Sequence, residues 1–113
     1  MSDSIKELQQ EIIAFRDERN WKQFHNPKDL AISISLEAAE LLEVFQWSGA
    51  DVAADKKIDK IKEELADVLI YSFIMANDLE LSIDEIVRSK IEANKRKYPV
   101  TKAYGSAKKY TEL

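Results

Sequence analysis

Two glycines and two prolines are all that punctuate 113 residues. Turns and strand ends draw heavily on those residue types. A sandwich or barrel of many short strands would therefore lack places to reverse, which leaves a few long helices. The length suits one core, so residues 1–113 are expected to form a single domain, least defined over the tail 100–113. Charged residues at 34% and apolar ones at 45% fit a globular chain rather than a disordered one. Cysteine is absent, which excludes disulfides and all thiolate chemistry, and a single His removes the usual zinc sets.

Residues 1–10 are polar and charged, unlike a secretory leader. The longest apolar stretch, Val68 to Ala76 with Ser72 inside it, is too short to span a bilayer. A cytoplasmic protein with no membrane partner is expected. The formal charge of −4 hides an asymmetry. Residues 1–87 carry 9 basic and 19 acidic side chains, a net −10, whereas residues 88–113 carry 8 and 2, a net +6. An acidic body with a basic end suits a structural protein with a solvated tail. It equally suits a metal site with cations beside an anionic ligand.

Caps and periodicity predict four helices. Ser4 with Glu7 has capping-box spacing, and Ile5, Leu8, Ile12 and Phe15 then fall on one face as far as about Asn20. Trp21 to His25 reads as a connector. Asn26 as N-cap and Pro27 at the first position open a second helix to about Gln46, with Ser48-Gly49 as the stop. A loop follows over Gly49 to Asp55. A third helix runs from near Lys56 to about Asp78, and a fourth opens at the Ser82/Glu85 box and ends before Pro99. The expected fold is an all-α four-helix bundle. On the second helix Leu30, Ile34, Ala38, Leu41 and Phe45 share one arc, while Ile32, Leu36 and Ala39 lie opposite. The third is apolar nearly all round from Leu65 to Ala76. Such faces need a cover. Self-association supplies one; wrapping by the first helix and the tail is the alternative.

The informative residues are carboxylates among apolar neighbours. Glu37 and Glu40 lie one turn apart on the second helix, and Glu64, Asp67 and Tyr71 form a strip on the third. Burying unpaired carboxylates costs several kcal/mol each or forces protonation, so something must compensate. For a single acid, an ion pair with a neighbouring Lys or Arg would serve. Two acid pairs at i, i+3 on consecutive helices repel one another, and a divalent cation relieves all four together. All-oxygen donors favour magnesium first, then manganese or calcium, and the lone His25 stands in no Glu-x-x-His pair that a di-iron bundle would need. On the fourth helix, Lys90 and Asn94 fall within the arc of Ile83, Ile86, Val87, Ile91 and Tyr98, as neutralising or capping groups or as ligands for phosphate oxygens.

Several segments together carry a resemblance: Glu37-Ala38-Ala39-Glu40-Leu41, then Phe45-Gln46-Trp47, then Glu63 through Tyr71, and Lys90-x-x-x-Asn94 running into Lys97-Tyr98-Pro99. They resemble the MazG-like nucleotide pyrophosphohydrolases over roughly residues 5–105. The stretch Glu18 to His25 is similar to that of the short dCTP pyrophosphatase branch. The resemblance implies an all-α hydrolase that cleaves nucleoside triphosphates between the α and β phosphorus, releasing a monophosphate and pyrophosphate. It implies that Glu37, Glu40, Glu64 and Asp67 hold magnesium, and that Lys90 and Asn94 contact phosphates with Tyr98 nearby. Trp21, His25, Trp47 and Tyr71 would surround the base. It implies a homo-oligomer, a dimer or a homotetramer built as a dimer of dimers, with sites shared between subunits. Ala39 stands where many relatives have Gly, a change that keeps the helix.

The resemblance implies, as the expected function, Mg2+-dependent hydrolysis of dCTP or related pyrimidine dNTPs, with Mn2+ as a substitute and no nucleic-acid polymer as partner. Glu40, on the flank of its helix, is the acid expected to orient or deprotonate water. Glu43, Glu63 and the Lys108-Lys109 pair are expected to be solvated. A phosphoribosyl-ATP pyrophosphohydrolase shares the acid-bearing helices, but Trp21 to His25 and Trp47 argue against it. A non-catalytic helical interaction protein would instead satisfy its acids with Lys or Arg.

Overall fold

A computed structural model describes residues 2–113, with side chains described from Ser4 onward. Among the described residues every regular element is helical. Four long helices span Ser2–Glu18 (α1), Pro27–Glu43 (α2), Ile58–Asp78 (α3) and Ile83–Lys97 (α4), and a short one spans Val100–Ala103 (α5). Single 3-10 turns lie at Trp21–Phe24, Asp55–Lys57 and Tyr110–Glu112. Among the described residues no helix is long and apolar enough to cross a membrane. The chain divides into two compact units, Met1–Glu80 and Leu81–Leu113.

In the first unit, α2 and α3 form the main packed pair and run antiparallel. His25 meets Tyr71 at one end, and Lys57 donates to the Val44 carbonyl at the other, 3.2 Å away. Asn26 caps α2 by accepting from the Asp29 amide at 2.9 Å, with Pro27 at N1 as expected. The buried apolar side chains are Leu30, Val44, Ala54, Ile74 and Ala76. α1 lies on α3, where Gln9 donates to the Phe73 carbonyl at 3.0 Å. The far face of α2 stays open, with Leu36 61% exposed and Leu42 71%. Ala38, expected on the inner arc, is exposed too.

Three boundaries differ from expectation. α1 begins at Ser2, so Ser4 lies inside the helix and does not cap it. The expected connector Trp21 to His25 is a 3-10 turn, entered through Asn20 in the left-handed region at φ 54°. α2 ends at Glu43 rather than Gln46, because amides 44, 45, 46 and 48 each bond three residues back and tighten the chain. That tightening delivers Trp47 at φ 68°, uncommon for a bulky side chain, and leaves it 92% exposed. The following loop is ordered by its own bonds. The Ala54 amide reaches Asp51 Oδ1 at 3.1 Å, and the Lys57 amide reaches the Ala54 carbonyl at 2.9 Å.

In the second unit, Ser82 caps α4 by accepting from the Glu85 amide at 3.3 Å. The tail, without periodicity in sequence, turns back. The Tyr110 ring lies edge-on to Tyr98, centroids 6.0 Å apart, and Lys97 Nζ sits 4.9 Å from the same ring.

Candidate metal centre

Helix periodicity places Glu37 and Glu40 on one strip of α2 and Glu64 and Asp67 on one strip of α3. Antiparallel packing turns the two strips toward each other. One carboxylate oxygen from each of the four lies within 4.8 Å of all the others. Oxygens on opposite sides of a magnesium ion stand about 4.2 Å apart and of calcium about 4.6–5.2 Å, so the quartet fits a hard cation with little adjustment. Glu64 is 5% exposed, Glu37 and Asp67 are half-buried, and Glu40 reaches solvent. Glu37 Oε2 and Glu64 Oε2 are buried without any hydrogen-bond partner. Orphaned anionic oxygens at a convergence of acids are what a cation-binding cluster presents before loading.

The cluster is partly compensated by protein. Lys60, one turn before Glu64, pairs with it at 2.9 Å and lies 3.6 Å from the exposed Glu63. Among the described residues no Lys or Arg pairs with Glu37, Glu40 or Asp67. Crowding therefore shows as a proton. Hydrogen bonds to Glu64 and Glu37, and the charge of Glu37, raise the Glu40 carboxyl from 4.5 to about 7. The bond from Lys60 leads in holding Glu64 below its ordinary value.

These opposed shifts give a stability prediction. Folded Glu40 holds its proton where the unfolded chain has lost it, so its contribution is full below about 4.5 and disappears as pH rises through about 7. Glu64 contributes above about 4.5 and loses that contribution only on further acidification. Metal-free protein is expected to melt at a lower temperature at pH 8 than at pH 5.5. Saturating divalent cation, which displaces the proton, is expected to raise Tm more at pH 8 than at pH 5.5. Calorimetric scans at both pH values, with and without the ion, check this. A cation-induced shift that does not grow with pH contradicts it.

The sequence profile of the MazG-like family matches residues 32–113, which includes all four acids. The chain belongs to the MazG-like family. It is similar to dCTP pyrophosphatase 1 of Mus musculus, at 38% identity over 98% of this chain and 66% of that protein. The Homo sapiens protein of the same name is 37% identical over 98% and 66%. The chain thus spans about two thirds of the length of these curated relatives. Among solved structures it resembles a pyrophosphatase from Archaeoglobus fulgidus at a TM-score of 0.79 and 43% identity, covering 85% of this chain and 93% of that one.

Around the MazG-like acid cluster, the residues expected near a base separate. Tyr71 borders the quartet. Burial above all, then the charges of Glu37, Asp67 and Glu40, push its phenol up, so it stays a donor at neutral pH. Its ring meets His25 edge-on, centroids 6.3 Å apart. Burial first, then the charge of Arg16, pushes His25 down, and its buried Nδ1 has no partner. His25 also lines a cavity of about 590 Å³ with Lys22, Asn26, Leu30 and Asp78. Trp21 packs edge-on against Phe15 at 5.6 Å, whereas Trp47 is 92% exposed. In the second unit Lys90 and Asn94 lie one turn apart on α4, both exposed, and Tyr98 contacts Tyr110.

Two features escaped the sequence reading. Lys60 was legible as the i−4 partner of Glu64. Arg16, 1% exposed and bonded to Asp78 at 2.6 Å and Asp17 at 3.1 Å, continues the Leu8, Ile12 row of α1. A cation on an apolar row is the counterpart of the misplaced acids.

Proposed function

We propose that this chain hydrolyses nucleoside triphosphates to the monophosphate and pyrophosphate, with dCTP or a related pyrimidine dNTP as substrate and Mg2+ on Glu37, Glu40, Glu64 and Asp67. The carrying observation is the convergence of four carboxylates with two orphaned buried oxygens. A magnesium ion held there would supply Lewis acidity toward phosphate oxygens and toward a bound water. The residues do the rest. Glu40, the one solvent-reaching member, is the acid we assign to orient or deprotonate the attacking water. Neutral His25 and protonated Tyr71 offer hydrogen bonds and ring edges to a base. Trp21 and Trp47 add stacking surface, and Lys90, Asn94 and Tyr98 supply phosphate contacts. Residues 1–113 act as one domain in the cytoplasm, with no nucleic-acid polymer as partner.

The protomer buries few apolar side chains and exposes Leu36, Leu42 and Trp47. We therefore infer a homo-oligomer, a dimer or dimer of dimers, in which a second copy covers these faces. The non-catalytic reading draws support from one contact, Lys60 on Glu64, and leaves the other three acids unexplained. Pyrophosphate release from the four dNTPs, a modified pyrimidine dNTP and phosphoribosyl-ATP, each with and without Mg2+, tests the assignment. Mg2+-dependent release greatest with dCTP is expected. Release from none of them, with no cation-induced rise in Tm, returns the chain to the interaction-protein class.

A further inference from the structure

A cavity of about 720 Å³ opens at the start of α3, and Glu40 and Glu64 of the acid quartet form part of its wall. Lys56, Lys57 and Lys60 line it as well. We propose that this cavity is the pyrophosphate seat of the site, taking the β- and γ-phosphates with Lys56 and Lys60 as their principal cations; this rests on the hydrolase reading above.

Four features carry it. A ligand here abuts the metal quartet, since Glu40 and Glu64 belong to both. Glu64 lines the cavity, is more than nine-tenths buried, and keeps one buried oxygen without a hydrogen-bond partner while the other pairs with Lys60. Lys56 in the 3-10 turn and Lys60 in the first turn of α3 both line the cavity, while Lys57 is tied to the Val44 carbonyl and holds the loop in place. No side chain caps α3, so the positive end of a 21-residue helix adds to the three ammonium groups.

Charge explains why phosphate enters only with metal. The three lysines face Glu40, Glu43, Asp59 and Glu64, a formal balance of −1 with all four acids ionised, which disfavours an anion. One divalent ion reverses it to +1. The same ion occupies Glu64 and releases Lys60, whose ammonium sits on a flexible stem and turns to phosphate without any backbone change. Lys60 thus serves as the resident counter-ion of the empty cluster and as a phosphate ligand of the loaded one.

The test is calorimetric titration of inorganic pyrophosphate into the full chain at saturating Mn2+. Lys56→Gln/Lys60→Gln is expected to weaken pyrophosphate binding at least about tenfold, the worth of one or two charge-assisted hydrogen bonds. Lys60→Arg is expected to retain most of it, and dCMP affinity to move less than about twofold. Without pyrophosphate, Lys60→Gln is expected to bind Mn2+ more tightly, because the competing ammonium is gone. Both lysines are exposed, and a circular-dichroism melt verifies that the variants fold. Unchanged pyrophosphate affinity, or a parallel loss for dCMP, overturns the proposal. Turnover is scored separately. A wild type that cleaves no dNTP removes the hydrolase reading, yet lost pyrophosphate affinity in the variants still upholds the pocket. A wild type that cleaves dNTPs, beside variants that bind pyrophosphate normally, removes the pocket alone.

Discussion

Glu64→Ala and Asp67→Ala are each expected to lower the Mg2+-dependent release of pyrophosphate by at least about a thousandfold. Each removes one of four oxygens that converge within 4.8 Å, and the remaining three cannot close an equivalent shell. The loss is not a folding defect. In the metal-free protein the quartet is a crowd of like charges, with buried oxygens on Glu37 and Glu64 left unpartnered. Removing Asp67 relieves repulsion, so Asp67→Ala is expected to melt no lower than wild type without metal. Glu64→Ala also gives up the Lys60 pair and is expected to melt somewhat lower. Both are expected to lose the rise in Tm that metal brings. Glu63→Ala is the control, because Glu63 lies off the quartet and is exposed. Activity within tenfold of wild type in Glu64→Ala or Asp67→Ala removes the mechanistic assignment.

Arg16→Ala is expected to be the most damaging single change to stability, at about 3–5 kcal/mol. The guanidinium is 1% exposed and bridges Asp17 at 3.1 Å and Asp78 at 2.6 Å, joining α1 to the end of α3. Burial alone would push the Asp78 carboxyl up, but bonds from Arg16 and Asn77 outweigh it and hold Asp78 below its usual value. That contribution is present above about 4 and is lost as pH falls through the lowered value. Truncating Arg16 leaves Asp78 half-buried and unpaired. For a chain of this size the cost corresponds to a Tm lower by more than about 10 °C. Urea unfolding measures it directly. The double variant Arg16→Met/Asp78→Leu is expected to recover most of the loss, because two apolar groups strand no charge. A loss below about 1 kcal/mol for Arg16→Ala means that water reaches this pair.

The helices were legible where the signal was local. Asn26-Pro27 and Ser82 act as caps because a cap needs only the residues within one turn of it. Ser4 misled for the same reason: its spacing to Glu7 satisfies the motif, yet the helix starts two residues earlier. The end of α2 came earlier than the periodicity suggested, because the amides after Glu43 bond three residues back. Lys57, thirteen residues on, donates to the Val44 carbonyl there, and Trp47 emerges at positive φ. Which aromatics meet could not be read either, since His25 and Tyr71 are joined by packing and not by spacing.

The amino-acid order alone determined that Glu37 and Glu40 share one strip and Glu64 and Asp67 another, since a helix sets those separations within a turn and needs no neighbour to do so. It determined equally that anions on an otherwise apolar surface require compensation. Tertiary structure decided how that need is met: three acids without a basic partner among the described residues, one held by Lys60, the Glu40 carboxyl pushed up by its neighbours, and a buried Arg16–Asp78 bridge across 62 residues. Those outcomes depend on distances between helices, which packing fixes and no local pattern encodes.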